Sequence, residues 1–285
     1  SCPEECQSRE WVKRRPDGNR LMSMSFLDAS AVERLQAGRY RAHIAPGWDV
    51  AGNANGGYLM AIAARAASAA AERRTPVTLT AHFLAPGNPG PVDVETSVEK
   101  LGRRFTTVTA RLSDSDRPLM TMLGSYAATP PAPTAIERVD AVPPEMPPPE
   151  DCVLVEPTET FPPPIMGKVE LRLHPEDALF AAGAPRFRGW FRLREGEPID
   201  SFAMIVAVDA FPPTIFNASL PVAWTPTLEL TAHLRGAPEP GWLRCQFTTR
   251  FITGGMVEED GEVWDQTGRL VAQSRQLALL PLESR

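Results

Sequence analysis

Hydrophobic and polar residues follow the same order twice along this chain. Each of the two halves contains an apolar segment whose composition favours a helix. Each also contains a series of segments, rich in Val and Thr, in which apolar and polar residues alternate. The first apolar segment begins at Gly56 and is rich in alanine, which predicts a helix to about Glu72, buried because nearly every face is apolar. The second predicts a helix near 199–210, ended by Pro212 and Pro213. The alternating segments predict strands at 38–45, 76–85, 91–101, 104–113 and 117–128, then at 167–173, 186–194, 226–235, 241–251, 256–265 and 269–281.

A repeated motif relates the two runs at a fixed offset. The sequence Leu-Thr-Ala-His at Leu79–His82 recurs 151 residues later at Leu230–His233, and the match continues without a gap as far as Ala127. Such a repeat predicts one structural unit used twice. A buried helix followed by antiparallel strands predicts a sheet curled around that helix, and therefore an α+β fold.

The repeat divides the chain into four segments. We expect one unit at 24–128, a proline-rich linker at 129–165 and a second unit at 166–285. Proline at this density excludes a central strand or a helix interior and predicts a stiff, extended linker. Residues 1–23 are polar and basic without the apolar core of a signal peptide, and we expect them to form a disordered extension.

Composition narrows the possible partners. The net charge is -6 and the pI about 5.4, which argues against nucleic acid or an anionic membrane as the main partner. No apolar run approaches the roughly 18 residues that span a bilayer. The four cysteines (Cys2, Cys6, Cys152 and Cys245) lack CxxC spacing, so we expect a reduced, cytoplasmic setting and no metal site.

Candidate chemistry lies where the two runs differ. The offset places Asp209 opposite Tyr58, in an apolar segment where a carboxylate must be paired, hydrogen-bonded or neutral. A carboxylate there could bind and activate a water. The alternative is an aspartate at a helix end, partly solvated or satisfied by main-chain amides.

Two further polar residues could act with this aspartate. Thr227 offers a hydroxyl, and Gln276 offers both a donor and an acceptor, so that with Asp209 they could hold one water by three hydrogen bonds. The alternatives are a threonine chosen as a good strand former and a glutamine at the surface.

The start of the first predicted helix is a candidate binding site for an anionic oxygen. Asn55, Gly56 and Gly57 leave main-chain amides open at a helix N-terminus, where the dipole favours a developing oxyanion. The alternative is a plain turn into the helix. His82 and His233 occupy equivalent repeat positions, which indicates structural strand histidines, and no GxSxG, HExxH or GxxxxGK[ST] motif is present.

These residues together give the sequence a family resemblance. The carrying segments are Asn-Gly-Gly-Tyr-Leu at 55–59 and the segments 79–87, 208–211, 226–230, 265–272 and 274–276. They resemble the acyl-CoA thioesterase II family, whose fold is a double hotdog: two tandem units, each a helix wrapped by an antiparallel sheet, with the sheets joined.

The resemblance implies hydrolysis of acyl-CoA to free acid and coenzyme A, with no metal or other cofactor. The family's water-activating trio maps onto Asp209, Thr227 and Gln276. The block Asn55, Gly56, Gly57 and Tyr58 is expected to contact the substrate, although better-known members carry Gly-Gly-Gln there. A homodimer is a further expectation.

Two other functions stay open at this level. A hotdog hydratase or dehydratase needs an Asp and His pair with the imidazole as proton shuttle, and no Asp-x4-His spacing is visible. A non-catalytic acyl or acyl-CoA binding protein would be favoured if Asp209 were ion-paired away from any cavity.

Overall fold

A computed structural model describes residues 24–280, except 74, 133, 135, 159, 160, 181 and 182. The predicted extension at 1–23 lies outside the described residues. The helices are α1 (Phe26–Ala29), α2 (Gly56–Ala70) and α3 (Ser201–Ala207). Short 3-10 helices occupy Pro149–Asp151, Pro164–Gly167, Asp177–Leu179 and Thr214–Asn217. None of these described helices has the length and apolar character needed to cross a membrane.

Most strands belong to one large antiparallel sheet. The first half of the chain contributes β1 (Glu33–Gln36), β2 (Arg39–Ile44), β3 (Asp49–Val50), β4 (Asn53–Ala54), β5 (Thr75–Phe83), β6 (Gly90–Leu101), β7 (Phe105–Asp114) and β8 (Arg117–Ala127). The second half contributes β9 (Val153–Leu154), β10 (Val169–Leu173), β11 (Arg186–Leu193), β12 (Thr227–Leu234), β13 (Leu243–Thr248), β14 (Ile252–Thr253), β15 (Met256–Trp264) and β16 (Leu270–Leu279). The strand order is β1-β2-β6-β7-β8-β5-β12-β16-β15-β13-β11-β10-β9, with β14 beside β15 and a separate β3-β4 pair. The predicted α+β double hotdog, with its two sheets joined into one, is confirmed.

The two halves meet where β5 pairs with β12. Thr80 lies directly opposite Thr231, and their hydroxyl oxygens are 2.9 Å apart. These two threonines occupy equivalent positions in the repeat, so a local twofold axis passes between them. His82 and His233 are exposed on the same strands.

Helix α2 fills the core of the first half. Its alanines at 61, 63, 64, 66 and 67 are fully buried, and small side chains allow the strands to pack close against the helix. The side chain of Asn55 caps the helix by accepting a hydrogen bond from the amide of Tyr58. The wrapped helix expected from the sequence is therefore present.

Helix α3 is shorter than predicted. It covers Ser201–Ala207 and not 199–210, because Asp200 caps its start with bonds to two amides and the chain leaves the helix after Ala207. Arg65 of α2 lies 3.2 Å from Asp200, at the start of α3, whereas the N-terminus of α2 faces its end. The two helices therefore run antiparallel beside each other.

The repeat offset holds for the strands but not for the helices. An offset of 151 residues places Gly56, the first residue of α2, opposite Ala207, the last residue of α3. The segment between the helix and the next strand is longer in the second half, 208–226 against 71–74. The predicted equivalence of Asp209 and Tyr58 was therefore wrong.

The linker lies along the second half of the molecule. Its strand β9 pairs with β10 at the end of the sheet, where prolines nearby do not interrupt a central ladder. The indole of Trp190 donates a 2.9 Å hydrogen bond to the main-chain oxygen of Pro147. Residues 153–156, 161–163 and 165 of the linker form one wall of a cavity described below.

Candidate active site

The N-terminus of α2 faces two adjoining cavities. The first, which we call the polar cavity, has a volume of about 280 Å³ and contains several polar side chains. The second, the apolar cavity, has a volume of about 340 Å³ and is lined mainly by aliphatic and aromatic residues. Residues that line both are Val50, Asn55, Asp209, Phe211, Pro213, Trp224 and Thr225.

Asp209 lies in a turn after α3, between the two cavities. Its Oδ2 accepts hydrogen bonds from the main-chain amide of Gly57 at 2.7 Å and from Nδ2 of Asn55 at 2.9 Å. The amide of Gly56 also interacts with this carboxylate. Because both direct bonds fall on Oδ2, Oδ1 is the oxygen with acceptor capacity to spare.

Asn55 connects the helix of the first half to this aspartate. Its Oδ1 accepts the amide of Tyr58 at 2.9 Å, which fixes the direction of the side-chain amide. Its Nδ2 then donates both to Oδ2 of Asp209 and, at 2.8 Å, to the main-chain oxygen of Asp209. One side chain therefore caps α2 and holds the turn that carries the carboxylate.

Two glycines allow the carboxylate to approach the helix. A Cβ on Gly57 would lie 2.6 Å from the main-chain oxygen of Ile205 and 2.9 Å from Cβ of Asp209. A Cβ on Gly56 would lie 2.8 Å from the ring of Phe83 and 3.0 Å from Oδ2 of Asp209. Glycine is required at position 57, where any side chain would meet the main chain of α3, whereas at position 56 a side chain would displace the Phe83 ring and the Asp209 carboxylate.

The amides of Gly56 and Gly57 were expected to be open to a substrate oxygen. The structure corrects this expectation, because both amides are directed at Asp209. The positive end of a helix dipole attracts the nearest anion, and here that anion is a side-chain carboxylate. Gly56 still lines the polar cavity, whereas Gly57 does not.

Burial sets the ionisation of Asp209. It raises the pKa of this carboxyl from 3.8 to about 6, against the opposing effect of the hydrogen bonds from Gly57, Asn55 and Gly56. The group is therefore ionised at neutral pH but is a stronger base than an ordinary aspartate. A carboxylate of this pKa can take a proton from water near neutral pH.

Thr227 and Gln276 lie on neighbouring strands and line the same polar cavity as Asp209. The hydroxyl of Thr227 donates to Oε1 of Gln276 at 3.3 Å. The structure therefore brings the three residues predicted from the sequence to one cavity. The bond between Thr227 and Gln276 is direct, while Asp209 approaches from the side of the helices.

Glu259 of β15 is a functional candidate that the sequence reasoning missed. It is buried, it lines the polar cavity, and its Oε1 accepts a 3.1 Å hydrogen bond from Nε2 of Gln276. Burial, together with the nearby charge of Asp209, raises its pKa to about 7. The alternation of β15 would have indicated it, since Val257, Glu259 and Gly261 share the inward face.

Tyr58 is placed away from both cavities. Its ring is fully buried and stacks on Trp48 with centroids 4.9 Å apart. Its hydroxyl donates to the main-chain oxygen of Ala29 and accepts from the amide of Ala45. The structure therefore does not support the expected substrate contact, because Tyr58 lies in the first turn of a buried helix and points into the core.

One group in the described chain has the composition of a cation site. It consists of His174, Glu176 and Asp177. The guanidinium of Arg188 donates to Glu176 at 2.8 Å and to Asp177 at 2.9 Å. The positive charge that these carboxylates require is therefore supplied by arginine, and we assign the group to structural ion pairing.

The chain matches known families along most of its length. Residues 44–127 match a family model described as the acyl-CoA thioesterase N-terminal domain, and residues 149–280 match one described as the C-terminal domain. An uncharacterized protein of Mycobacterium tuberculosis is 30% identical, and the match covers 83% of this chain and 89% of that protein.

Solved structures give the same result. A candidate thioesterase II from Thermobifida fusca is 34% identical, with a TM-score of 0.82 and coverage of 91% of this chain and 99% of that one. A protein of unknown function with a hot dog fold from Alicyclobacillus acidocaldarius is 23% identical, with a TM-score of 0.81 and coverage of 91% and 98%, which supports the fold. The chain therefore belongs to the acyl-CoA thioesterase family, and it is a thioester hydrolase.

Proposed function

We propose that this enzyme hydrolyses acyl-CoA thioesters to free acid and coenzyme A, with Asp209 as the general base and with Thr227 and Gln276 orienting the attacking water. The family supports acyl-CoA as the substrate class. The observation that carries the assignment of the base is the carboxylate of Asp209, whose pKa is raised to about 6 at the wall between the polar and the apolar cavity.

The reaction balances with these groups. A water bound near Oδ1 of Asp209 forms a bond to the thioester carbon while its proton passes to the carboxylate. The tetrahedral intermediate collapses, the carbon–sulfur bond breaks, and the electron pair leaves with the sulfur. The proton on Asp209 then passes to the thiolate, which yields free thiol and returns the base to its ionised form.

Thr227 and Gln276 would hold the water in the direction of attack. The amide nitrogen of Gln276 carries two hydrogens, of which one bonds to Glu259 and the other can donate to the water or to the developing oxyanion. The hydroxyl oxygen of Thr227 keeps acceptor capacity while it donates to Gln276. The three residues would act as one unit.

The acyl chain would lie in the apolar cavity. Phe161, Phe180 and Phe216 form a cluster there, with ring centroids between 5.8 and 6.4 Å apart. An apolar chain in this cavity would place its thioester beside Asp209, which lines both cavities. This position lies next to the end of α3.

The alternative chemistries receive less support. A hydratase or dehydratase needs a histidine as proton shuttle, and none of the four histidines, all within the described chain, lines either cavity. A binding protein without activity does not agree with the family to which the chain belongs. The homodimer and the cytoplasmic location stay predictions.

The test is a hydrolysis assay over acyl-CoA esters of increasing chain length, with release of thiol as the readout. Asp209→Asn keeps acceptors for Asn55 and Gly57 but removes the base, so kcat should fall at least about 100-fold. Asp200→Asn is the matched control, since asparagine also caps a helix and this residue lies at the opposite end of α3. Wild-type turnover in a folded Asp209→Asn variant would exclude the proposed base.

A further inference from the structure

The side-chain amide of Gln276 has two neighbours that decide which way it points. On one side, its Oε1 accepts from the hydroxyl of Thr227 at 3.3 Å. On the other, its Nε2 donates to Oε1 of Glu259 at 3.1 Å. An amide can be turned over with little change in shape, so the direction that it takes depends on whether its neighbours donate or accept. Thr227 can do either, which leaves the choice to Glu259.

Glu259 is itself held by Thr214, whose main-chain amide can only donate and whose hydroxyl also bonds to the carboxylate. Its Oε2 accepts the main-chain amide of Thr214 at 2.9 Å, and Thr214 is fully buried in a 3-10 helix that faces β15. This bond fixes the carboxylate and directs Oε1 at Gln276. Above its pKa of about 7 Glu259 is ionised and offers only acceptors, so the NH₂ group of Gln276 must then face it.

A carboxylate at this position is costly for the fold. Glu259 lies on the inward face of β15 between Val257 and Gly261, and the strand continues inward with Val263. Burial disfavours its charged form, and the charge of Asp209 disfavours it further. An apolar residue would satisfy this face of the sheet at less cost, so the carboxylate indicates a purpose other than packing.

We propose that Glu259 is the positioning residue of the active site, which fixes the amide of Gln276 with its oxygen toward Thr227 and its nitrogen in the polar cavity. This inference rests on the proposed function, because it concerns the residue that orients the attacking water. Glu259 acts through Gln276 and need not touch the substrate.

The substitution Glu259→Gln tests this orientation with no change in size. The amide of Thr214 still needs an acceptor, so the introduced side chain must keep its oxygen toward Thr214 and present its NH₂ group to Gln276. Gln276 must then turn over and direct its nitrogen at Thr227. We expect kcat to fall about ten- to a hundredfold while KM changes by less than about threefold, because the water and not the substrate is misplaced.

The neighbouring residue supplies a matched control. Glu258 lies on the opposite face of β15, where its carboxylate accepts from the amides of Arg250 and Phe251. Glu258→Gln should leave kcat and KM close to those of the wild type. An equal loss in both variants, or wild-type kinetics in Glu259→Gln, would overturn the inference.

A double-mutant cycle distinguishes positioning from a general structural role. In a Gln276→Met background there is no amide left to orient, so adding Glu259→Gln should cause no further loss of kcat. A merely structural role would cause the same further loss in both backgrounds, and that result would also overturn the inference.

An exchange of the two residues gives a readout that needs no activity. Gln276→Glu alone places two carboxylates in contact and should lower the thermal unfolding midpoint. Adding Glu259→Gln restores a donor and an acceptor across the same contact and should recover most of that loss. No recovery would overturn the inference. A wild-type enzyme that fails to hydrolyse any acyl-CoA would instead refute the proposed function and leave this stability test intact.

Discussion

Asn55 and Asp209 lie in different halves of the chain and are joined by two hydrogen bonds from one nitrogen. Nδ2 of Asn55 donates to the main-chain oxygen of Asp209 at 2.8 Å and to its carboxylate at 2.9 Å. The direction of that nitrogen is set by the cap that Asn55 forms on α2. The start of one central helix therefore positions the candidate base that follows the other, and the site exists only when both halves are docked.

Asn55→Asp should move the pH profile of the enzyme. The new carboxylate can still cap α2 by accepting the amide of Tyr58, but its second oxygen faces Asp209 with a like charge. A neighbouring negative charge raises the pKa of Asp209 above about 6, so the acid limb of the profile of kcat against pH should move upward by about one unit.

Asn55→Ser is the control for this experiment, since serine also caps a helix but adds no charge. Because the hydrogen bond from Asn55 lowers the pKa of Asp209, its loss alone should move the acid limb of Asn55→Ser upward, but by less than in Asn55→Asp. Profiles of kcat from pH 5 to 9 for the three proteins decide the matter. An unmoved limb in Asn55→Asp would show that Asp209 is not the group that titrates.

The raised pKa of Asp209 also predicts a dependence of stability on pH. The folded value of about 6 exceeds the ordinary 3.8, so the folded protein binds the proton of Asp209 more tightly than the unfolded chain does. This contribution to the free energy of unfolding is fully present below about pH 4 and is lost as the pH rises through 6. Asp209→Asn removes the ionisation. The free energy of unfolding of this variant should exceed that of the wild type by on the order of 1–3 kcal/mol at pH 8, and by less at pH 4.5.

Denaturant unfolding of both proteins at pH 4.5, 6 and 8 measures this difference, in which the titration of all other groups cancels. A gap between Asp209→Asn and the wild type that stayed constant over this range would contradict the assigned pKa.

The sequence predicted the bounds of strands β5 to β8 more accurately than the bounds of α3. The alternation predicted β5 to β8 within two residues at each end, because one face of each strand packs on α2 and the other faces solvent. The apolar run 199–210 predicted a longer helix, since Val208 and Ala210 are buried although they are not helical. Apolar composition alone does not distinguish a buried helix from a buried turn.

The sequence identified individual residues of the site but not the contacts between them. Thr227 and Gln276 were identified because their polar chemistry stood out against the repeat, and Asp209 because it is a carboxylate in an apolar segment. The contact of Asp209 with α2 could not be foreseen, because it depends on how two distant helices pack. Glu259 was passed over because a glutamate in a strand usually faces solvent, although its place in the alternation of β15 directs it inward.

Thr227 and Gln276 should depend on each other in catalysis. Thr227→Val keeps the shape of the side chain and removes the hydroxyl, while Gln276→Leu removes both polar groups. If the two residues hold one water, each change should lower kcat about tenfold or more with little change in KM, and the double variant should lose less than the two losses combined.

Steady-state kinetics of the two single variants and the double variant complete this cycle. Wild-type-like unfolding midpoints in all three would exclude loss of fold as the cause. Fully additive losses would mean that the residues serve separate purposes, and the shared water would have to be abandoned.

Ala178→Leu should shorten the acyl chains that the enzyme accepts. Ala178 lies in the 3-10 helix Asp177–Leu179, is partly buried and lines the apolar cavity, so a leucine there would occupy space that the proposal assigns to the acyl chain. Each lost methylene position in an apolar pocket is worth about tenfold or more in kcat/KM. We therefore expect kcat/KM to fall at least about tenfold for the longest acyl-CoA that the wild type hydrolyses and to change little for the shortest.

Ala31→Leu, at an exposed position outside both cavities, is the matched control and should leave the whole chain-length profile unchanged. A uniform fall across all chain lengths in Ala178→Leu would place the acyl chain elsewhere, because a blocked channel discriminates by length while a distorted active site does not.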